Sequence, residues 1–100
     1  MLTDQERDTL LAAPAGDCVT KERVEGNIAF VQYFHHDTTT IAVFTMKNGY
    51  SVVGKAGCVD PVNYNQELGE RLAYDDAFGQ CYALEGYLLR EALFLKSKAV

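Results

Sequence analysis

Asn48-Gly49 stands between two apolar runs rich in β-branched and aromatic residues, IAVFTM before it and YSVV after it. Asn-Gly is the preferred pair for a two-residue type I′ turn, in which both central residues need positive φ, so the pair predicts a β-hairpin. A two-residue turn also fixes the register. It sets Lys47 against Tyr50, Thr45 against Val52 and Val43 against Gly54 on one face, and Phe44 against Val53 on the other. Upstream, AFVQYF from Ala29 has the same texture, and the HDTTT segment, His36 to Thr40, would join it to the hairpin. Three antiparallel strands are therefore expected, with apolar residues on both faces of the sheet. One face takes the helices; the other needs a cover, from an N-terminal helix or from another molecule. Gly54 and Gly57 fit a strand end where a bulge or a close backbone approach calls for glycine. A phosphate cradle is the functional alternative, but the spacing matches neither a Walker loop nor a dinucleotide fingerprint.

Helices are expected before and after the strands in the chain. Thr3, with Glu6 as its capping-box partner and Leu10-Leu11 on one side, starts a short helix that Pro14 and Gly16 stop. Thr20 caps a second helix of about two turns over KERVEGNI, with Val24 and Ile28 on one face. Asp60-Pro61 is a cap and first-position pair, and Asn65 can cap the helical stretch after it. From there to about Lys96 the pattern is helical, with Leu68, Leu72, Ala77, Cys81, Leu84, Leu88, Ala92 and Leu95 recurring at three- to five-residue steps. This is one helix or two, Gly79 being the expected break. The fold class is therefore α+β: a three-stranded antiparallel meander packed with a long or broken C-terminal helix and short N-terminal helices. With 100 residues it makes a single domain.

Gly79, Ala83 and Gly86 line up on one side of the last helix. Small residues in a row let another backbone approach closely. The expectation is a packing groove for a strand or helix of the same chain, with a symmetric helix pair across a homodimer as the alternative.

The chemistry is sparse. Glu85 falls between the Leu84/Leu88 and Tyr82/Leu89 stripes, inside the apolar arc, where a carboxylate must pair, shift its pKa upward or reach the core edge. A bond to a tyrosine hydroxyl or a strand-end amide is expected, with a ligand or catalytic role as the alternative. Asp75 and Asp76, after Glu67 and Glu70, make a solvated acidic face or a contact surface for a basic partner. Of the six tyrosines, most sit at the core edge; Tyr50 can join an amphipathic interface, and Tyr87 and Phe94 lie off the main arc, where they can touch another molecule. The candidate binding residues are thus Glu85, Tyr87, Asp75, Asp76, Tyr50 and Phe94. Neither C-x-x-C nor H-x₃-H occurs around His35-His36, Cys18 or Cys58, so no metal and no cofactor is expected. The three cysteines fit reduced thiols. No nucleophile-and-base arrangement can be argued from spacing, so no catalytic residue is named and the chain is read as a non-enzyme.

A net charge of −5 leaves no basic excess to release phosphate counterions, which argues against direct nucleic-acid binding. An acidic protein meets basic protein surfaces instead. No apolar run is long enough to span a membrane, and the start MLTDQERDTL is unlike a signal peptide, so a cytosolic chain is expected.

The stretch from about Thr45 to Glu91, with KNGYSVVG, A-G-CVDPVNY, E-x-G-x-x-x-A and LEGYLLRE, resembles a small family of tailed-bacteriophage proteins first defined in an N4-like coliphage and a Shigella phage; VTKERVEGNI adds a looser likeness. In that family an Ile-Trp-Pro type of lead-in precedes Leu-Glu-Gly-Tyr, whereas this chain has Gln80-Cys81-Tyr82-Ala83, a loss of proline that lets two helical segments run together. The resemblance implies a phage or prophage origin and an accessory early gene product acting in the host cytoplasm. It supplies no catalytic residues. The function expected by analogy is a non-enzymatic inhibitor or modulator of a host machine, an antiviral defence such as CRISPR, acting sterically on a host protein by placing an acidic, tyrosine-bearing surface in a basic site used by nucleic acid. The alternative is an oligomeric small-molecule binder, a sponge for nucleotide signals, with a pocket between subunits near the Gly54 to Asp60 loop and Glu85.

Overall fold

The hairpin around Asn48-Gly49 forms, but with a three-residue loop. In the computed structural model, which describes Thr3, Gln5 and residues 18–98, the Gly49 amide donates to the Met46 carbonyl at 2.9 Å and the Met46 amide to the Tyr50 carbonyl at 2.8 Å. Only Gly49 takes a positive φ, +88°, while the Asn48 Oδ1 accepts from the Tyr50 amide at 3.0 Å. That is a type I turn followed by a left-handed glycine, so Lys47 belongs to the loop and does not pair with Tyr50.

The extra loop residue moves the register by one. Strand β2 (Thr39–Met46) pairs with β3 (Ser51–Gly57) as Thr45 with Ser51, Phe44 with Val52, Val43 with Val53 and Ala42 with Gly54, in place of the expected partners. Because side chains alternate along a strand, a one-residue shift exchanges the two faces of β3. Val52 joins Ala42, Phe44 and Met46 in the core, and Val53 turns outward and is 51% exposed. Burial decides between the registers: this one lines up the inward residues of β3 with those of β2, and fully burying a side chain such as Phe44 is worth about 2–3 kcal/mol.

Strand β1 (Ile28–His36) completes the antiparallel meander β1-β2-β3, with a register shift between Ile28 and Phe30. Its turn to β2 is tighter than the expected His36 to Thr40 segment: His36 pairs with Thr39, leaving Asp37, at φ +51°, and Thr38 to make the corner. Ahead of it lies α1 (Lys21–Gly26), capped as expected by Thr20, whose hydroxyl accepts from the Arg23 amide at 3.1 Å, and anchored by the fully buried Val24. Ile28, expected on the same helix, starts β1 instead. The expected helix from Thr3 through Leu11 falls almost wholly outside the described residues.

After β3, the Asp60 carboxylate caps a 3₁₀ turn at Pro61–Asn63, and the Asn65 side chain accepts from the Leu68 amide at 3.1 Å to open α2 (Gln66–Lys98). This helix runs unbroken for 33 residues, about 50 Å at 1.5 Å per residue. Gly79 does not interrupt it. A mid-helix glycine costs only about 1 kcal/mol, and the packed Ala77, Phe78 and Cys81 hold the helix on both sides of it.

Two close approaches seat α2 on the sheet. A Cβ at Gly54 would overlap the Ala73 carbonyl and the Ala77 amide and lie 2.8 Å from the Ala77 Cβ, so of the two expected reasons for glycine it is the close backbone approach, made by the crossing helix, that applies. At Gly69, a Cβ would lie 2.6 Å from the Thr40 Oγ1. Beside them an aromatic row, Phe44, Tyr74, Phe78 and Tyr82, steps along the interface with centroids 4.9, 5.7 and 5.5 Å apart. The groove expected at Gly79, Ala83 and Gly86 receives no strand or helix of the described chain: a Cβ at Gly79 or Gly86 would meet nothing within 4 Å. The sheet face away from α2 exposes Phe30, Phe34 and Val53 to half or more of their surface.

Candidate binding pocket at the hairpin end of the sheet

The β2–β3 turn, the end of α1 and the middle of α2 converge on a cavity of about 380 Å³, a size that suits a small molecule or a partner's side chain. Met46, Leu84, Tyr87 and Leu88 supply apolar wall; Asn27, Lys47, Asn48, Tyr50 and Glu85 supply polar atoms. Tyr50, from the β2–β3 turn, is thus brought to Glu85 and Tyr87 of α2. Tyr50 and Tyr87 are 58% and 76% exposed, while Glu85 is 6% exposed.

Glu85 is paired, with partners other than those expected. Its Oε2 accepts from the Arg23 Nε at 3.2 Å and its Oε1 from the Asn27 Nδ2 at 2.7 Å. The sequence pattern indicates a carboxylate inside the apolar arc; it gives no sign that α1 would bring both donors to it. Two charge-assisted hydrogen bonds make the buried carboxylate tolerable. Asn27 is the residue that sequence reasoning missed. It caps α1, its carbonyl accepts from the Lys47 amide at 2.8 Å, and its side chain holds Glu85, so one residue ties helix, turn and carboxylate. The Gly26-Asn27 pair at a helix end was the available signal. Beneath the pocket, burial first and the Glu85 charge second push the Cys81 thiol above its ordinary pKa.

The other candidates lie elsewhere. Asp75 is exposed on α2, where its charge helps to raise the pKa of Tyr33 on β1 and of Tyr74. The Asp76 Oδ2 accepts from the Lys55 amide at 2.9 Å, and the Gln80 Nε2 donates to the Val53 carbonyl at 2.7 Å. Together these two side chains occupy backbone groups on the open edge of β3, which would otherwise template another strand. Phe94 is 47% exposed near the end of α2, under the Lys98 ammonium at 4.9 Å.

The loop from Gly54 to Asp60 and Glu85 do not share a site within one chain. Gly57 and Cys58 border a smaller cavity of about 130 Å³ with Leu68 and Gly69, and 16 residues of helix, roughly 24 Å, separate Gly69 from Glu85. Near that cavity the His35 Nε2 lies 3.3 Å from the Glu70 Oε2, and its Nδ1 lies 3.1 Å from the Tyr64 hydroxyl. Which ring nitrogen donates depends on the tautomer, and in either case the ring bridges Glu70 and Tyr64. This pins the 3₁₀ turn to β1, and neither end of the contact was visible in the sequence. Among the described residues no group of three or more His, Cys, Asp or Glu is placed to hold a metal ion, and no helix is long and apolar enough to cross a membrane.

No curated protein and no solved structure matches the chain. A family match does exist, over residues 19–93, from just before the Thr20 cap to the late turns of α2, so it takes in the sheet, the pocket and its Arg23, Asn27 and Glu85 network. On that coverage the chain belongs to the Phage protein (N4 Gp49/phage Sf6 gene 66) family.

Proposed function

We propose that this phage protein is an accessory factor that works by binding a host protein, without catalysis, in the host cytoplasm, and that its target is a defence machine such as CRISPR. The observation that carries the binding reading is the rim of the pocket. Tyr50, Tyr87, Leu84 and Leu88 are each 44% or more exposed around a cavity backed by a fixed, paired carboxylate. Aromatic side chains around a concave apolar site are the usual anchors of protein interfaces, because they desolvate large area at low entropic cost. The net charge of −5 adds attraction to a basic partner surface.

Affinity purification of the tagged protein from its bacterial host, with a Tyr50→Ala/Tyr87→Ala variant in parallel, tests this. A stoichiometric host protein captured by the parent and lost from the variant supports the reading and identifies the target. Equal capture by both would place the interface away from the pocket. A second reading rests on the cavity volume: it can hold a nucleotide-sized ligand, with Lys47 and Asn48 at its edge. Native mass spectrometry that finds a bound nucleotide and no host protein would favour it.

A further inference from the structure

One side of α2 is crossed by no strand or helix of the described residues, although Leu72 at its start borders the small cavity beside Ala56 and Gly57. With about 100° per residue, Leu72, Gly79, Ala83, Gly86 and Leu93 share the side opposite the buried Ala77 and Cys81. Leu72 and Leu93 are 50% and 37% exposed, and the two glycines face open space. Asp75 and Arg90 complete the row, giving steps of three and four residues from one member to the next. Such spacing suits two long helices lying side by side at a shallow angle.

We propose that this face docks a second copy of the chain, the two α2 helices running antiparallel about a twofold axis. The small residues set the register. Closest approach needs small side chains on both helices, and placing Gly79 level with Gly86 of the second copy provides that twice by symmetry. With nothing else adjusted, Leu72 then comes level with Leu93 of the second copy, and Asp75 with Arg90 of the second copy. Both charged residues are exposed, and among the described residues neither has an ion-pair partner. The axis passes between Tyr82 and Ala83, at the middle of Gln66–Lys98, so the helices overlap along almost their whole length. A strip about 50 Å long between helices roughly 10–12 Å across approaches the roughly 800 Å² per partner of a standard interface.

Charge also selects the direction. A parallel pair would set Asp75 against Asp75 and Arg90 against Arg90, whereas the antiparallel pair makes two opposite-charge contacts and aligns the helix dipoles favourably. The Glu85 pocket opens on another side of α2 and stays free, so this inference stands independently of the proposed function.

Sedimentation equilibrium of the purified full chain tests it. The expected mass is twice the 11.1 kDa of one chain at micromolar concentration. Asp75→Arg and Arg90→Asp, each creating two like-charge contacts, should weaken association roughly tenfold or more, and the double exchange should restore it. Circular dichroism monitors the fold; should either single variant lose helix, Ala83→Glu, which sets two like charges beside the axis, takes its place. A parent chain that is monomeric at about 100 µM, single variants that associate normally, or a double exchange without recovery would each overturn the proposal. So would association lost only in Leu88→Glu/Leu95→Glu, which would place the contact on the opposite side of the helix.

Discussion

Glu85, Arg23 and Asn27 show how a buried charge is settled by residues more than fifty positions away in sequence. Arg23 keeps a 37% exposed side chain, so water screens part of the pair. We expect Arg23→Ala to cost about 1–2 kcal/mol and Glu85→Ala about 2–3 kcal/mol, with the double variant well short of the sum because each single removes the same contact. Urea denaturation of the four proteins measures it; additive losses would show that the pair does not couple. A second residue-scale expectation concerns alkaline pH. Burial raises the pKa of the Cys81 thiol from 9.0 and of the Tyr33 and Tyr74 hydroxyls from 10.0. Below those ordinary values both folded and unfolded chains hold the protons, and the stability is fully present. As pH rises past them the unfolded chain releases protons first, so stability falls and is lost through the raised folded values. Melting temperature should therefore decline from about pH 9 upward, with Cys81→Ala removing the earliest part of the decline; a flat profile to pH 11 would contradict the assignment.

At the scale of elements, the turn between β2 and β3 decides which residues the sheet buries. A type I′ turn would need positive φ at both Asn48 and Gly49, but only Gly49 adopts it. Gly49→Ala should then cost about 1–2 kcal/mol, and Asn48→Ala, losing one side-chain bond to the Tyr50 amide, under about 1 kcal/mol. Thermal melts of the two variants read this, and equal losses would point back to the two-residue turn. The elements themselves were legible in the sequence: the Thr20, Asp60 and Asn65 caps and all three strands appear where local chemistry placed them. The slip was in register, because turn propensity is worth less than the burial of β3's inner face, which turn chemistry does not report. The absent break at Gly79 has the same cause: helix propensity registers the glycine's cost, while the packing that offsets it lies in the sheet.

At the scale of the whole molecule, one thin layer of contacts joins α2 to the sheet, and Gly54 is its tightest point. Gly54→Ala would force the helix off the strand, and we expect a loss of about 3 kcal/mol or more, seen as a fall in the urea midpoint. An unchanged midpoint would mean that helix and sheet are not held at that crossing. Much of the candidate site was half legible: the anomalous carboxylate and the off-arc tyrosine stood out by helical periodicity, since a wheel needs only neighbours along one helix. The sequence by itself determined the α+β class, the order of the described elements, the caps at Thr20, Asp60 and Asn65, and that Glu85 needed a partner, because these depend on local spacing and on the cost of burying charge. Only the tertiary structure decided the register of β3, the donors to Glu85, the separation of that residue from the Gly54 to Asp60 loop, and the side of α2 that no described strand or helix covers. Each of those depends on which surfaces meet, and contact between distant segments is set by summed burial over the folded molecule rather than by any local pattern.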